Sequence, residues 1–386
     1  MDRFAVRSAL VSYALAALVG IAAGIAAVAQ LSLPQQPITA SSCTATGATR
    51  SASFAPTGIR ADDAGDDRDG IQRALDAASA AGGGIVRLPE GTFLVDRGLT
   101  VPSDVALEGS GAATVVKAGP SFLSTPAPSG GYPVLTTAGA VNATIAHLTV
   151  DQSGDTLDGR VPDRLSGYLV EIRRSTNAMV DDVHTRNPFT YSIAVAGSSR
   201  FCVRRSSTLV TSSGRYDQLD GIHVLDSSDG QIIDNVVDQR GGNDGDDGLV
   251  AHSLGAPVRN VTYAGNKVRG GTHGGGLQIA AGDEPIQGLV IKDNEFWGSP
   301  FGIRTGQYDH GRGSIHDITI EGNNIHDLVT GSSISGFGNA VEITDSGASL
   351  PGKIWNVVLR FNRTCRAGSV VLPRTSGNLV SRPRGC

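Results

Sequence analysis

The chain has 386 residues, 51 of them glycine, with 5% aromatic and 18% charged residues; 37 acidic side chains against 32 basic ones give a net charge of -5. Abundant glycine and short apolar runs indicate many short strands between turns. The absence of a Lys/Arg-rich block or a basic stripe with interleaved aromatics excludes nucleic acid as a partner.

Arg3 and Arg7 precede a stretch, Ala9 to Leu33, that is almost wholly apolar, and the next charge is Arg50. A run of this length can cross a hydrocarbon core, and the basic residues ahead of it favour an inside N-terminus. Ala27-Val28-Ala29 also has the small-x-small form of a cleavage site. Residues 1–33 are therefore a signal anchor or a signal peptide. Either reading makes the rest of the chain extracytoplasmic, anchored or secreted. Residues 34–57 are Ser/Thr/Ala/Pro-rich and read as a linker. In an exported chain the even count of Cys43, Cys202, Cys365 and Cys386 suggests disulfides, with Cys365–Cys386 stapling the C-terminus and Cys43 left for Cys202.

The domain expected over 58–386 begins with a helix. Asp67 or Asp69 can cap it, Ile71, Ala74, Leu75 and Ala78 keep helical spacing, and Gly82-Gly83-Gly84 ends it. The acidic run Asp62, Asp63, Asp66, Asp67 and Asp69 reads as capping and solvation rather than a metal site. Strand-like runs follow at Ile85–Leu88, Phe93–Val95, Val105–Leu107 and Thr114–Val116.

From about residue 140 the sequence repeats. A Gly-or-polar, apolar, x, apolar unit recurs with first apolar residues Ile193, Ile222, Leu249, Leu277, Ile303 and Val341. A second unit, apolar-x-apolar then asparagine, interleaves with it and ends at Asn235, Asn266, Asn294 and Asn324. A period of roughly 28 residues with several strands and no helix is one coil of a solenoid. The fold class is all-β: a single-stranded right-handed parallel β-helix with an N-terminal capping helix that covers its open edge. The asparagines are expected to stack as an amide ladder, each taking the left-handed turn conformation itself. A capped solenoid is expected to be a monomer.

Stacking turns sequence spacing into proximity, since residues one coil apart lie about 4.8 Å apart. On the aligned coils Asp220 precedes Gly221-Ile222, Asp246-Asp247 precede Gly248-Leu249, His273 approaches Leu277, and Arg304 follows Ile303. Alternation places His223, Gln278, Arg304 and Glu342 on one solvent-facing ribbon, with Glu171 and Arg173 several coils earlier. Crowded carboxyls raise one pKa and leave a proton donor beside an ionised base, the division that glycosidic hydrolysis needs. The same carboxylates, Asp220, Asp246 and Asp247, could instead hold calcium. A polar turn at Asn243–Gly248 with no chemistry, in a glycan-binding or structural coil, is the non-enzymatic alternative.

Asp67 to Thr92 resembles the N-terminal cap of the pectate-lyase superfamily of β-helix proteins. Four later motifs are similar, in order, to the polygalacturonase family of glycoside hydrolases. Gln218-Leu219-Asp220-Gly221-Ile222 resembles its N-T-D-G-I, and Gly245-Asp246-Asp247-Gly248-Leu249 its G-D-D-C-I. Thr272-His273-Gly274 resembles G-H-G, and Gly302-Ile303-Arg304-Thr305 resembles R-I-K-T. Leu219, Gln218, Gly248 and Gly302 depart from those patterns. The resemblance implies catalytic roles for Asp220, Asp246 and Asp247, support from His273, and substrate binding by Arg304, with Tyr308 in the place of the family's active-site tyrosine. His223 and Gln278 complete the expected substrate-binding set. Family likeness implies inversion, whereas carboxyls one coil apart suit retention.

Tyr216, Asp220, His223 and Asp246 are also similar in order to the site residues of β-helix alginate epimerases and lyases, although their Asp-Pro-His signature is absent. The expected function is polysaccharide processing, by hydrolysis without a cofactor or, alternatively, by calcium-assisted elimination or C5 epimerisation of a uronic acid polymer.

Overall fold

The computed structural model describes residues 43, 50–120, 122, 133–154, 168–188, 190–210, 219–239, 245–307, 311–329, 338–344, 353–372 and 377–386. The apolar segment 1–33, Tyr216, Gln218 and Tyr308 lie outside them. No helix among the described residues is long and apolar enough to cross a membrane.

The helix Arg68–Ala80 buries Ile71, Ala74, Leu75 and Ala78 against the first coil, at the spacing that aligns them on one face. Its acidic start works differently from the expectation. Asp67 occupies the N-cap but makes no side-chain capping bond. Its carboxylate instead accepts from the N–H of Arg60 (2.7 Å) and of Leu94 (3.2 Å). Asp62 likewise accepts from Thr92 N–H and Asp66 from Asp96 N–H. These acids satisfy loop N–H groups that helix and strand leave over, and so seat the helix on the coil.

All the paired strands are parallel, as coils stacked along one axis require. One face is a 10-stranded ladder among the described residues, running from Leu99–Thr100 to Val370–Val371. The remaining strands form a continuous 21-stranded sheet that bends into two further faces. Strand Met179–Arg186 shows the bend. Met179–Asp181 pair with Cys202–Arg204, whereas His184–Arg186 pair with Ser207–Leu209. The corner between them is Asp182, in the left-handed region at φ 54°.

The coil alignment read from the sequence is the observed register: Ile193, Ile222, Leu249, Leu277, Ile303 and Val341 are successive partners, including across the longest coil. All six are fully buried, each contributing about 1.5–3 kcal/mol of apolar burial. The glycines before Ile222 and Leu249 have a steric reason. A Cβ on Gly221 would lie 2.5 Å from Val237, and one on Gly248 2.2 Å from Val268. At these two coils the corner has no room for a side chain.

The amide ladder runs Asn235, Asn266, Asn294, Asn323 and Asn362. Each of the first four Nδ2 groups donates to the next Oδ1 at 2.9, 2.9, 3.0 and 2.9 Å and to a strand carbonyl of the preceding coil. Two expectations change here. The ladder member is Asn323 and not Asn324, which instead starts strand Asn324–His326 in register with Glu295. The left-handed residues are those just before the ladder, Asp234, Gly265, Asp293, Gly322 and Phe361. The asparagines keep a strand-compatible backbone and spend their amides inside the coil.

The disulfides are Cys43–Cys202 and Cys365–Cys386, bonding that forms in an oxidising compartment. Cys43 is held further by Arg204 Nη1, which donates to its carbonyl at 2.6 Å. Within the stretch read as a linker, Ser53–Phe54 pairs with Ile85–Val86 and extends the sheet by one strand.

Candidate active site

The 10-stranded face carries one outward column: Glu171, Ala194, His223, Val250, Gln278, Arg304 and Glu342 are consecutive register partners. The corner residues ahead of these strands form a second column. Since Ile222 pairs with Leu249 and Leu249 with Leu277, Asp220 stacks on Asp247 and Asp247 on Gly275. Backbone bonds lock that corner: Gly221 N–H donates to Asp247 O at 3.1 Å and Gly248 N–H to Gly275 O at 2.9 Å. Repetitive architecture thus delivers non-repetitive side chains to one place.

Asp220, Asp246 and Asp247 each present a carboxylate oxygen within 4.8 Å of the others. Asp247 is 2% exposed. Its Oδ1 accepts from Gly275 N–H (2.6 Å) and Arg304 Nε (3.1 Å), and its Oδ2 from Arg304 Nη2 (3.0 Å). The same Nη2 lies 3.4 Å from Asp246 Oδ1. Gly275 keeps this corner close-packed: a Cβ would meet Asp247 Oδ1 at 3.3 Å and Arg304 Cγ at 3.4 Å, so those side chains would have to give by a few tenths of an ångström. Burial lowers the Arg304 guanidinium, but Asp247 foremost, then Asp246 and Asp220, raise it net above its ordinary value. Its forked donors and a buried carboxylate form a charge-assisted pair.

Asp220 has a different environment. Burial first, and then the Asp247 charge, push its carboxyl well above the usual carboxylate range, against the Asp247 N–H and Arg304, which lower it. Its Oδ1 accepts from Asp247 N–H at 3.2 Å, and its Oδ2 lies 2.8 Å from His223 Nδ1. His223 Nε2 in turn lies 3.2 Å from His252 Nδ1. Burial lowers the His223 imidazole to about 4, against Asp247 and Asp226, which raise it. Burial, followed by His223, lowers His252 to about 4 against Asp226. Both imidazoles are therefore neutral at neutral pH. The rings of Tyr168, Tyr191, His223 and His252 continue along the axis at 5.2, 5.0 and 5.4 Å between centroids.

Several sequence-derived residues sit otherwise than expected. His223 has the outward parity predicted but is 4% exposed, because Asp220 and His252 close over it. Arg304 is in the predicted column, yet its Nε and Nη2 are engaged by Asp247 and Asp246, which takes them from the substrate-binding role read for them. Gln278 is half-buried between Val250 and Arg304. His273 is half-buried, and its N–H donates to Gly245 O at 3.0 Å, tying its loop beside Asp246. Glu342 is Arg304's register partner and accepts from Asn339 Nδ2 at 2.6 Å. Glu171 is buried and bound by Arg173 at 2.7 Å.

His252 is the main residue that sequence reasoning missed. It follows Leu249 by three, so it shares the outward parity of His223 two positions further along the ribbon, in register with Leu225 and Ala280. Alignment of the coils at that position would have found it.

The three carboxylates lie close enough together to hold a cation, while the Arg304 guanidinium bound to Asp247 and Asp246 opposes one electrostatically.

The fold is a parallel β-helix with clustered acids on one outward ribbon. The family model described as Rhamnogalacturonase A/epimerase, pectate lyase-like, matches residues 55–345, and the chain belongs to that family. It is 27% identical over 283 residues to mannuronan C5-epimerase AlgE5 of Azotobacter vinelandii, covering 68% of this chain and 26% of that protein. It is also 35% identical over 122 residues to AlgE3 of the same organism, covering 29% of this chain and 6% of that one. The chain thus spans only a minor part of either curated relative. Among solved structures, the exopolygalacturonase of Thermotoga maritima shares the fold with a TM-score of 0.63 at 18% identity, over 84% of this chain and 90% of that one.

Proposed function

We propose that this protein is an exported polysaccharide-processing enzyme that hydrolyses glycosidic bonds, with the carboxyl cluster dividing the roles of acid and base. The observation that carries this reading is the contrast within the cluster. Asp220 is buried against an acidic neighbour, which pushes its carboxyl well above the usual carboxylate range, while Asp247 is paired through both oxygens with Arg304. Asp220 is then the proton donor for the leaving oxygen. Asp246, the more open carboxylate with 27% of its side chain exposed, is the base that activates water. Asp247 holds the negative field near the developing oxocarbenium ion.

A second reading is supported by one specific arrangement and by the curated relatives. Tyr191 and the neutral His223 lie 5.0 Å apart beside Asp220, a phenol–imidazole pair able to remove and return a proton at C5 of a uronic acid, and the curated relatives are mannuronan C5-epimerases. The apolar segment 1–33 is proposed to export or anchor the domain, which acts as a monomer.

The test is a panel of polygalacturonate, alginate and neutral polysaccharides, following reducing ends, unsaturated products and C5 configuration together. Hydrolysis predicts new reducing ends without unsaturation, reduced about 10²–10⁴-fold in Asp220→Asn. Inverted C5 centres without new ends would transfer the assignment to epimerisation. A panel left unchanged in every channel would remove the enzymatic reading.

A further inference from the structure

Among the described residues, His252 has no counterpart in the motifs that carry the family likeness, yet it is 5% exposed and its ring meets His223 edge to edge. The hydrogen-bond chain gives it a task. Asp220 Oδ1 already accepts the Asp247 N–H, so the proton of a neutral Asp220 carboxyl lies on Oδ2, the oxygen 2.8 Å from His223 Nδ1. That bond requires His223 Nδ1 to be the bare, accepting nitrogen. A neutral imidazole then carries its hydrogen on Nε2, and this hydrogen needs an acceptor in a buried site. His252 Nδ1, at 3.2 Å, is that acceptor.

We propose that His252 is a positioning residue: by accepting the Nε2–H of His223 it fixes the tautomer whose Nδ1 keeps the Asp220 proton in place. The proposal rests on the reading of Asp220 as the proton donor. Without the acceptor, the His223 Nε2–H would be a buried donor with no partner. The ring would relieve this by moving its hydrogen to Nδ1, where it would face Asp220 as a donor and favour the carboxylate instead of the acid. The other groups acting on the chain are Asp247 and Asp226, which favour charged imidazoles, and the Tyr191 ring against His223. None of them offers Nε2 of His223 an acceptor in the structure described.

The test uses the full-length protein with nitrogen-15 histidine and carbon-13 aspartate carboxyl labels, comparing parent, His252→Leu and His252→Asn. The parent should show His223 as the Nε2–H tautomer and Asp220 as a protonated carboxyl at neutral pH. His252→Leu should move the His223 hydrogen to Nδ1 and ionise Asp220. His252→Asn, whose Oδ1 falls near the lost Nδ1, should restore both signals. On whichever polysaccharide the panel shows to be turned over, kcat should fall about tenfold in His252→Leu with KM nearly unchanged, and recover in His252→Asn. An Nε2–H tautomer that persists in His252→Leu overturns the proposal, and so does a folded His252→Asn that behaves as His252→Leu does. The spectral readout decides the inference without substrate. Asp220→Asn retaining activity would instead remove the assignment of the acid.

Discussion

Two of the buried polar stacks among the described residues are built on the same one-coil step with opposite consequences. At one corner, Asn235 to Asn362 repeat a single residue over five coils, and each of the first four amides donates to the next oxygen and to a strand carbonyl. The stack is neutral and needs nothing from outside. At the entrance to the 10-stranded face, Asp220, Asp247, Gly275 and the neighbouring His223, His252 and Arg304 differ from coil to coil. That stack carries charge, pushes the Asp220 carboxyl well above the usual carboxylate range, and leaves Asp246 part-open to solvent. Repetition down a column marks structure, and a column whose residues change identity while staying polar marks chemistry.

The largest expected effect is at Arg304. Arg304→Ala strands the 2%-exposed Asp247 carboxylate beside Asp246, which should cost on the order of 3–5 kcal/mol in denaturant unfolding and abolish turnover. If stability holds, the ion pair is not what balances the cluster. Next is the neutral stack. Asn323→Ala leaves the Asn294 N–H and amide and the Ile291 carbonyl without their partner, at about 1–3 kcal/mol for each buried group. Activity per folded molecule should stay unchanged. Equal loss of activity in both variants would erase the distinction between the two stacks.

Acid should reveal the charged stack alone. His223 and His252 have folded pKa values of about 4 against 6.5 for the free side chain, so the unfolded chain binds more protons as pH falls. The stability they contribute is present above 6.5 and is lost as pH drops from there toward 4. Asp220 has the opposite sign. Its raised pKa means that stability declines as pH rises from the ordinary carboxylate value toward its folded one, and Asp220→Asn should flatten that limb. Thermal melts across pH check both slopes. The smallest effect is expected at Asn324→Ala, next to the ladder but outside it, within about 0.5 kcal/mol of the parent.

That last pair shows where sequence reading reached and where it stopped. The coil register was legible because the apolar residues of the repeated unit must face inward at a fixed step, and it held even for Val341 and Glu342 beyond the longest coil. Asn323-Asn324 was ambiguous because adjacent amides satisfy the same pattern; the pairing of Glu295 with Asn324 is a three-dimensional fact. Parity placed His223 and Arg304 on the right ribbon but could not say what covers them. Burial of His223 and the diversion of Arg304 to Asp247 depend on side-chain directions across coils. His252 escaped notice because it belongs to no repeated motif, only to the register of its strand.

The central claim is that the fold raises the Asp220 carboxyl well above the usual carboxylate range beside Asp247 and Arg304. The most direct measurement is a carbon-13 titration of the aspartate carboxyls, with Asp220 assigned by its disappearance in Asp220→Asn. The account predicts one carboxyl, that of Asp220, still protonated well above the range in which the other aspartates ionise. An Asp220 resonance that titrates together with the exposed aspartates would contradict it.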